Sequence, residues 1–360
     1  MEGFPGYVTI FFLLNSVVFV ASEPFAVYGG NDEIHVTRLN TGELVKKFVV
    51  SISPVKYVIF DYKENVIFAA SERDLTRLHL VDEDGQTKRG EPGELLLNTT
   101  SNHIETVTGF NYYAKYDKIT GLSLWPGVRK FFIATANYVY LSNYKPYYQP
   151  FTVLTYGYQF TNFRFAKFAH GILYFGKPGS AYVYRCIITP DRCEKDIGWF
   201  VKVGTGETDL SIDTKSNKLY WIEKNQFKVA DISNTKSNPR IVLGDSAYTK
   251  GTCALTIHQN PSTGTSWLGW YKYDGEKSRV MKGDLNTKNN FIQKHDIIMA
   301  SSDQPAAEFK PLSMEVFEHS WETTPDQMNS NNYDNIDYTR RDPEGIDIIL
   351  RSFQRNPNSH

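Results

Sequence analysis

Carboxylates are the side chains of this chain with the widest chemical reach. Asp61, Asp209, Asp213 and Glu315 lie far apart in the sequence. That distribution is expected where single acids from different structural units converge on one central calcium ion, as a metal-dependent hydrolase would need. Each of the four also suits a turn or an exposed strand face, and no local motif ties them together. The 8 histidines, His35, His79, His103, His170, His258, His295, His319 and His360, show no metal-ligand spacing. A His-Glu-x-x-His pair, a Gly-x-Ser-x-Gly elbow and a Gly-x-x-x-x-Gly-Lys phosphate loop are all absent. The residues therefore favour a protein that is not an enzyme and carries no cofactor.

Aromatic side chains are the other conspicuous resource: 23 Tyr, 23 Phe and 6 Trp. The doublets Phe131-Phe132, Tyr174-Phe175, Tyr220-Trp221 and Trp270-Tyr271 could build a ligand cage. Their recurrence once per repeated unit marks them instead as scaffold. The stretches Tyr144-Lys-Pro-Tyr-Tyr-Gln-Pro-Phe151 and Tyr156-Gly-Tyr-Gln-Phe160 fall between such units and carry Pro and Gly. Aromatic anchors dominate interface energetics, so Tyr144, Tyr147, Tyr148, Phe151, Tyr156 and Tyr158 form the candidate binding patch. The competing reading is a connector packed on its own scaffold.

Three cysteines bear on compartment. A Pro-Asp turn between Cys186 and Cys193 would bring two hairpin ends together, which favours a disulfide in an oxidising environment. Cys253 is then left over, either as a buried thiol or as an intermolecular bridge. Asn98-Thr99-Thr100 is a sequon for glycosylation. The apolar run from Tyr7 to Ser22 ends in small residues and is too short to span a bilayer, so residues 1–22 read as a signal peptide and the product as secreted. With 39 basic and 40 acidic side chains the net charge is -1, which provides no pull toward nucleic acid.

The elements that would position these groups are strands. Thr208 to Asp213, Leu219 to Lys224 and Phe227 to Ile232 alternate or are rich in β-formers, with polar turns between them. The same order recurs at Val55 to Asp61, Val66 to Ala70 and Leu75 to Leu80. Further units centre on Lys130 to Ala134, Ile172 to Gly176 and Trp270-Tyr271. Spacing of about 42 to 50 residues between the later centres is a propeller-blade length. A sixth unit from Lys310 to Glu318 has room for two strands only. Phe25 to Tyr28 and Glu33 to Leu39 form a hairpin pattern that would complete it and remove the free sheet edges.

At Leu219-Tyr-Trp-Ile-Glu223 the chain resembles the Leu-Tyr-Trp-Thr-Asp repeat of the low-density-lipoprotein-receptor type six-bladed β-propeller. Gly275-Glu-Lys-Ser-Arg-Val280, Pro311 to Glu318 and Val27 to Val36 are similar to other parts of that family, and the resemblance covers most of residues 25 to 322. It implies recognition of an extracellular protein partner by one face of the ring. The Thr-Asp half, which knits neighbouring blades in the family, reads Ala69-Ala70, Ile222-Glu223 and Lys272-Tyr273 here. Cohesion between blades is therefore expected to rest mainly on apolar burial.

The expectation is an all-β, six-bladed β-propeller over residues 23–326, closed by an N-terminal hairpin, with a flexible polar tail over 327–360. It would be secreted and monomeric, with no membrane span, no bound metal and no nucleic-acid partner. A calcium-dependent lactonase or esterase on the same ring, and a structural protein of extracellular matrix or fluid, are the alternative functions.

Overall fold

Strands form wherever β-branched and aromatic residues recur between polar turns. The computed structural model describes residues 23–319 except 40, 62–65, 82–100, 107–117, 126–129, 136–137, 144–151, 154–164, 170, 177–181, 189–192, 204–208, 214–215, 233–237, 245, 260–265, 274–276, 286–291, 300–303 and 306–312. The signal peptide expected over 1–22, the sequon at Asn98 and the tail expected over 327–360 lie outside the described residues. No helix long and apolar enough to cross a membrane occurs among those described.

The strands assemble into antiparallel sheets whose order follows the chain. The sheet met first contains β1 (Glu23–Gly29), β2 (Glu33–Arg38) and β3 (Leu44–Val49). Next come β4 (Tyr57–Asp61), β5 (Val66–Ala70), β6 (Leu75–Val81) and β7 (Ser101–Thr106), here the first sheet. The second holds β8 (Ile119–Trp125), β9 (Lys130–Thr135), β10 (Val139–Asn143) and β11 (Thr152–Val153). The third holds β12 (Phe165–Ala169), β13 (Ile172–Gly176), β14 (Tyr182–Ile188) and β15 (Cys193–Lys202). The fourth holds β16 (Leu210–Asp213), β17 (Lys218–Glu223), β18 (Gln226–Asp231) and β19 (Arg240–Leu243). The fifth holds β20 (Thr252–Gln259), β21 (Ser266–Tyr273), β22 (Lys277–Leu285) and β23 (Ile292–Met299), with β24 (Gln304–Pro305) against β22. Finally β25 (Met314–His319) pairs with β1, giving a sixth sheet in the order β25-β1-β2-β3.

Local chemistry explains the tightest of these turns. Glu223 pairs with Gln226 across only Lys224 and Asn225, and both turn residues have positive φ, 48° and 57°. That backbone matches the right-handed twist of the two strands it joins.

The aromatic doublets show how the sheets stack. Successive side chains of a strand point to opposite faces, so a strand buried on both faces becomes an unbroken apolar run. On β9, Phe131 enters the core between the first and second sheets and Phe132 the core between the second and third. Tyr174 and Phe175 divide in the same way around the third sheet, as do Tyr220 and Trp221 around the fourth and Trp270 and Tyr271 around the fifth. All eight are almost fully buried, as the scaffold reading expects. Phe68 stacks on Phe131 at 4.5 Å between centroids, joining the first sheet to the second. Separate cores lie between the fifth and sixth sheets and between the sixth and first, so every sheet buries both faces. Gly29 sits at this last junction, where a Cβ would strike the carbonyl oxygen of Val55.

The expected N-terminal hairpin is present as β1 and β2, and Leu44–Val49 extends it by a third strand at the outer edge of the sixth sheet. That segment is only partly buried and needs little apolar content to serve there. From the C-terminal unit β25 is described, and the continuation expected at Ser320-Trp-Glu322 lies outside the described residues. Strands β8, β12 and β20 each begin a sheet and were not recognised, their apolar residues being diluted by Gly, Ser, Lys and Thr.

Replacing Trp270 with alanine should cost about 3–5 kcal/mol, since its ring is fully buried against Phe227 at 5.1 Å. Ile241→Ala, at a side chain 50% exposed, should change stability by less than about 0.5 kcal/mol. Denaturant midpoints of the two variants measure the contrast.

Candidate functional site

The leading strands β4, β8, β12, β16, β20 and β25 pair with a sheet neighbour on one side only and pack against one another in that order, β25 meeting β4. Their other edges carry backbone groups that need partners when buried. Side chains from adjacent sheets supply several. Asp209, just ahead of β16, accepts from the Leu255 amide of β20 at 2.7 Å and from the Leu210 amide at 2.9 Å. Ser211 accepts from Ile257 at 3.0 Å. The Ser313 hydroxyl accepts from the Val58 amide at 2.7 Å and donates to the Val58 carbonyl at 3.0 Å, tying the start of β25 to β4.

Apolar cores between the sheets carry most of the cohesion, as expected from the missing Thr-Asp pairs, and these hydrogen bonds add to it. Acids and hydroxyls elsewhere on the leading strands take over the polar stitching.

Charged groups gather at the starts of these strands. Glu72, in the turn between β5 and β6, receives Lys56 at 2.5 Å and Lys118 at 2.8 Å. The hydrogen bonds from Lys118 and then Lys56 hold its carboxyl down at about 2. Tyr57 stands at the head of β4. Burial raises its hydroxyl above the usual phenol range, and the charges of Asp209 and Glu72 add to the effect. On β25, Glu315 is pushed up to about 7, first by burial; Lys167 of β12 opposes the rise and Asp209 reinforces it. Five sheets thus contribute to one electrostatic neighbourhood.

Of the four acids proposed as calcium ligands, Asp209 and Glu315 feel each other's charge. Asp213 is instead used in its own turn, accepting from the Ser216 amide at 3.1 Å and from its hydroxyl at 2.5 Å. Asp61 is buried as the last residue of β4. No three His, Cys, Asp or Glu side chains are grouped to hold a metal among the described residues. Tyr144, Tyr147, Tyr148, Phe151, Tyr156 and Tyr158 lie outside the described residues, bracketed by β10, β11 and β12. Cys186 is buried on β14, and the register sets Cys193 opposite Ile188, two residues further along. Cys253 is partly buried and in no disulfide, its thiol donating to the Tyr271 carbonyl at 3.7 Å. The sequence reading missed Tyr57, Glu72, Lys167, Ser211 and Ser313, which belong to no motif. Only the polar residues interrupting otherwise apolar leading strands could have marked some of them.

No family model matches the chain, and no curated protein matches it in sequence. Among solved structures, an auxiliary nutrient binding protein from Bacteroides thetaiotaomicron aligns with TM-score 0.46 and 13% identity over 76% of each chain. A chain in the crystal structure of a nidogen/laminin complex aligns with TM-score 0.53 and 11% identity, over 81% of this chain and 98% of that one. The fold this likeness supports is a β-propeller. With it, the starts of the leading strands fall where the sheets of a propeller converge.

Asp209→Ala should destabilise the protein by about 1–3 kcal/mol, because the Leu255 amide loses its acceptor in a buried seam. Asp209→Asn keeps one acceptor oxygen and should cost less. Amide exchange at Leu255 should quicken most in the alanine variant.

Proposed function

We propose that the chain is a secreted, closed six-bladed β-propeller of the low-density-lipoprotein-receptor type that binds an extracellular protein partner and performs no catalysis. Closure is supported by the β25–β1 pairing and by the cores on both sides of the sixth sheet. The type is supported by Leu219-Tyr-Trp-Ile-Glu223, which falls on β17 with Tyr220 and Trp221 filling the cores on either side.

The observation that carries the binding role is the likeness to a chain crystallised in a nidogen/laminin complex, an assembly of proteins. Burial of the repeated doublets takes them out of consideration as a ligand cage, and the contact patch we propose is the tyrosine-rich stretch between β10 and β12 in sequence. A calcium-dependent hydrolase gains no support from the described acids. Both Asp209 oxygens already accept backbone amides, and the Lys167 ammonium acts on the same neighbourhood.

In the oxidising compartment this function implies, Cys186 bonds to Cys193 and Cys253 stays a thiol. Thiol labelling of the unfolded but unreduced protein should then modify one of the 3 cysteines, and all of them after reduction. Labelling of all three without reductant would contradict the bond.

Partner binding is tested by capture from extracellular fluid with the mature protein, in the presence and absence of a calcium chelator. Capture should survive chelation. Tyr147→Ala combined with Tyr148→Ala should weaken it by about thirtyfold or more, the range of interface hot spots. Unchanged capture by the folded double variant would remove these tyrosines from the interface.

A further inference from the structure

Between β19 and β20, Ser246 to Gly251 form a knuckle whose backbone is held by two side chains of β21. The Trp270 indole donates to the Tyr248 carbonyl at 2.9 Å, and the Lys272 ammonium donates to the Ala247 carbonyl. Both donors are buried. Within the knuckle the Ser246 hydroxyl accepts from the Tyr248 amide at 3.2 Å, and the Thr249 hydroxyl accepts from the Ser246 amide at 3.0 Å. Thr249 is fully buried, and Gly251 turns the chain into β20 with a φ of 81°.

On this fixed backbone the Tyr248 side chain is 37% exposed. An aromatic ring whose backbone is already ordered loses little freedom when a partner covers it, which is the property of an interface anchor. The Trp270 ring also meets Phe227 at 5.1 Å, and Phe227 follows directly on the Lys224-Asn225 turn. One buried tryptophan thus touches both the knuckle and the start of β18. Lys224 and Lys250 are exposed beside them.

Charge identifies the kind of partner. The knuckle lies at the end of the sheets where the leading strands start, an end that antiparallel order shares with the turns after β5 and β17 and with the end of β15. Among the described residues, Arg73, Lys202, Lys224 and Lys250 are exposed there, as are Lys47 on Glu33 and Lys118 on Glu72, against Asp32. The exposed charges of the opposite end are Glu43 and Asp284 against Arg240.

We propose that Tyr248, with Lys224 and Lys250 beside it, docks an acidic segment of a protein partner, which covers the ring and sets its carboxylates against the two lysines. The inference rests on the binding role proposed above and adds a second contact to the tyrosine-rich stretch between β10 and β12. A sulfated polysaccharide would feel the same field. The cations, however, are spread over several sheets without a continuous track, and charge alone makes no use of an anchored ring.

The test presents the mature protein with a displayed peptide library rich in Asp and Glu and with a matched library rich in Lys and Arg. Peptides should be enriched from the acidic library alone. For the peptide selected most strongly, Tyr248→Ala should weaken binding about tenfold or more, while Tyr248→Phe, which keeps the ring, should retain it. Lys224→Glu combined with Lys250→Glu should slow association and reduce its dependence on salt. Ile241→Ala, at the opposite end, should leave binding unchanged.

Equal enrichment from both libraries would overturn the site, as would undiminished binding by folded Tyr248→Ala. Retention on heparin without enrichment of any peptide would assign the cationic end to a polysaccharide instead. Capture from extracellular fluid that is weakened by Tyr147→Ala with Tyr148→Ala but not by Tyr248→Ala would overturn this site and keep the binding role. No capture from the fluid and no enrichment from either library would overturn both.

Discussion

Face-to-face burial between adjacent sheets is the constraint on which the rest of the structure depends. Each sheet is too thin to shield an apolar core by itself, so both faces must be covered by neighbours. The second strand of a sheet meets this demand with consecutive large side chains, one per face. Tyr220 and Trp221 serve the fourth sheet, and Trp270 and Tyr271 the fifth. A stack of this kind has two outer faces unless its ends meet. The sixth sheet, drawing β25 from one end of the described chain and β1 to β3 from the other, removes that exposure by packing on both the fifth and the first.

Polar chemistry is subordinate to this packing but fixes its register. An apolar face tolerates small slides, whereas the Leu255 amide must meet Asp209, and Val58 must meet Ser313. These contacts lie at the leading edges, where ladder hydrogen bonding stops. They also explain the crowding of charge there. Glu72 is satisfied by two lysines, Asp209 by two amides, and Glu315 by no hydrogen bond or ion pair among the described residues. One neighbourhood therefore holds both an acid whose carboxyl is held down at about 2 and one pushed up to about 7.

Much of the repeat was legible in the residues. The doublets and the turns at Ser216-Asn217 and Lys224-Asn225 marked the middle strands, since a strand buried on both faces has no polar alternation to confuse with a helix. The leading strands were harder to read. Ile119-Thr-Gly-Leu-Ser-Leu-Trp125 mixes buried and partly buried positions, apolar and polar, within a few residues. The site divided in the same way. Asp209 and Glu315 were recognisable as acids of interest, but their work depends on sheets far apart in sequence. No spacing rule could have joined Asp209 to Leu255 or Glu315 to Lys167.

Ring closure through β25 and β1 is the central claim, and engineered cross-linking tests it most directly. In a Cys253→Ser background, cysteines placed at Ala26 and Val316, which are register partners, should form a disulfide on mild oxidation. The displaced pair at Ala26 and Glu318 should not. Cross-linking of both pairs alike, or of neither, in a folded protein would contradict the pairing and leave the sixth sheet without its inner strand.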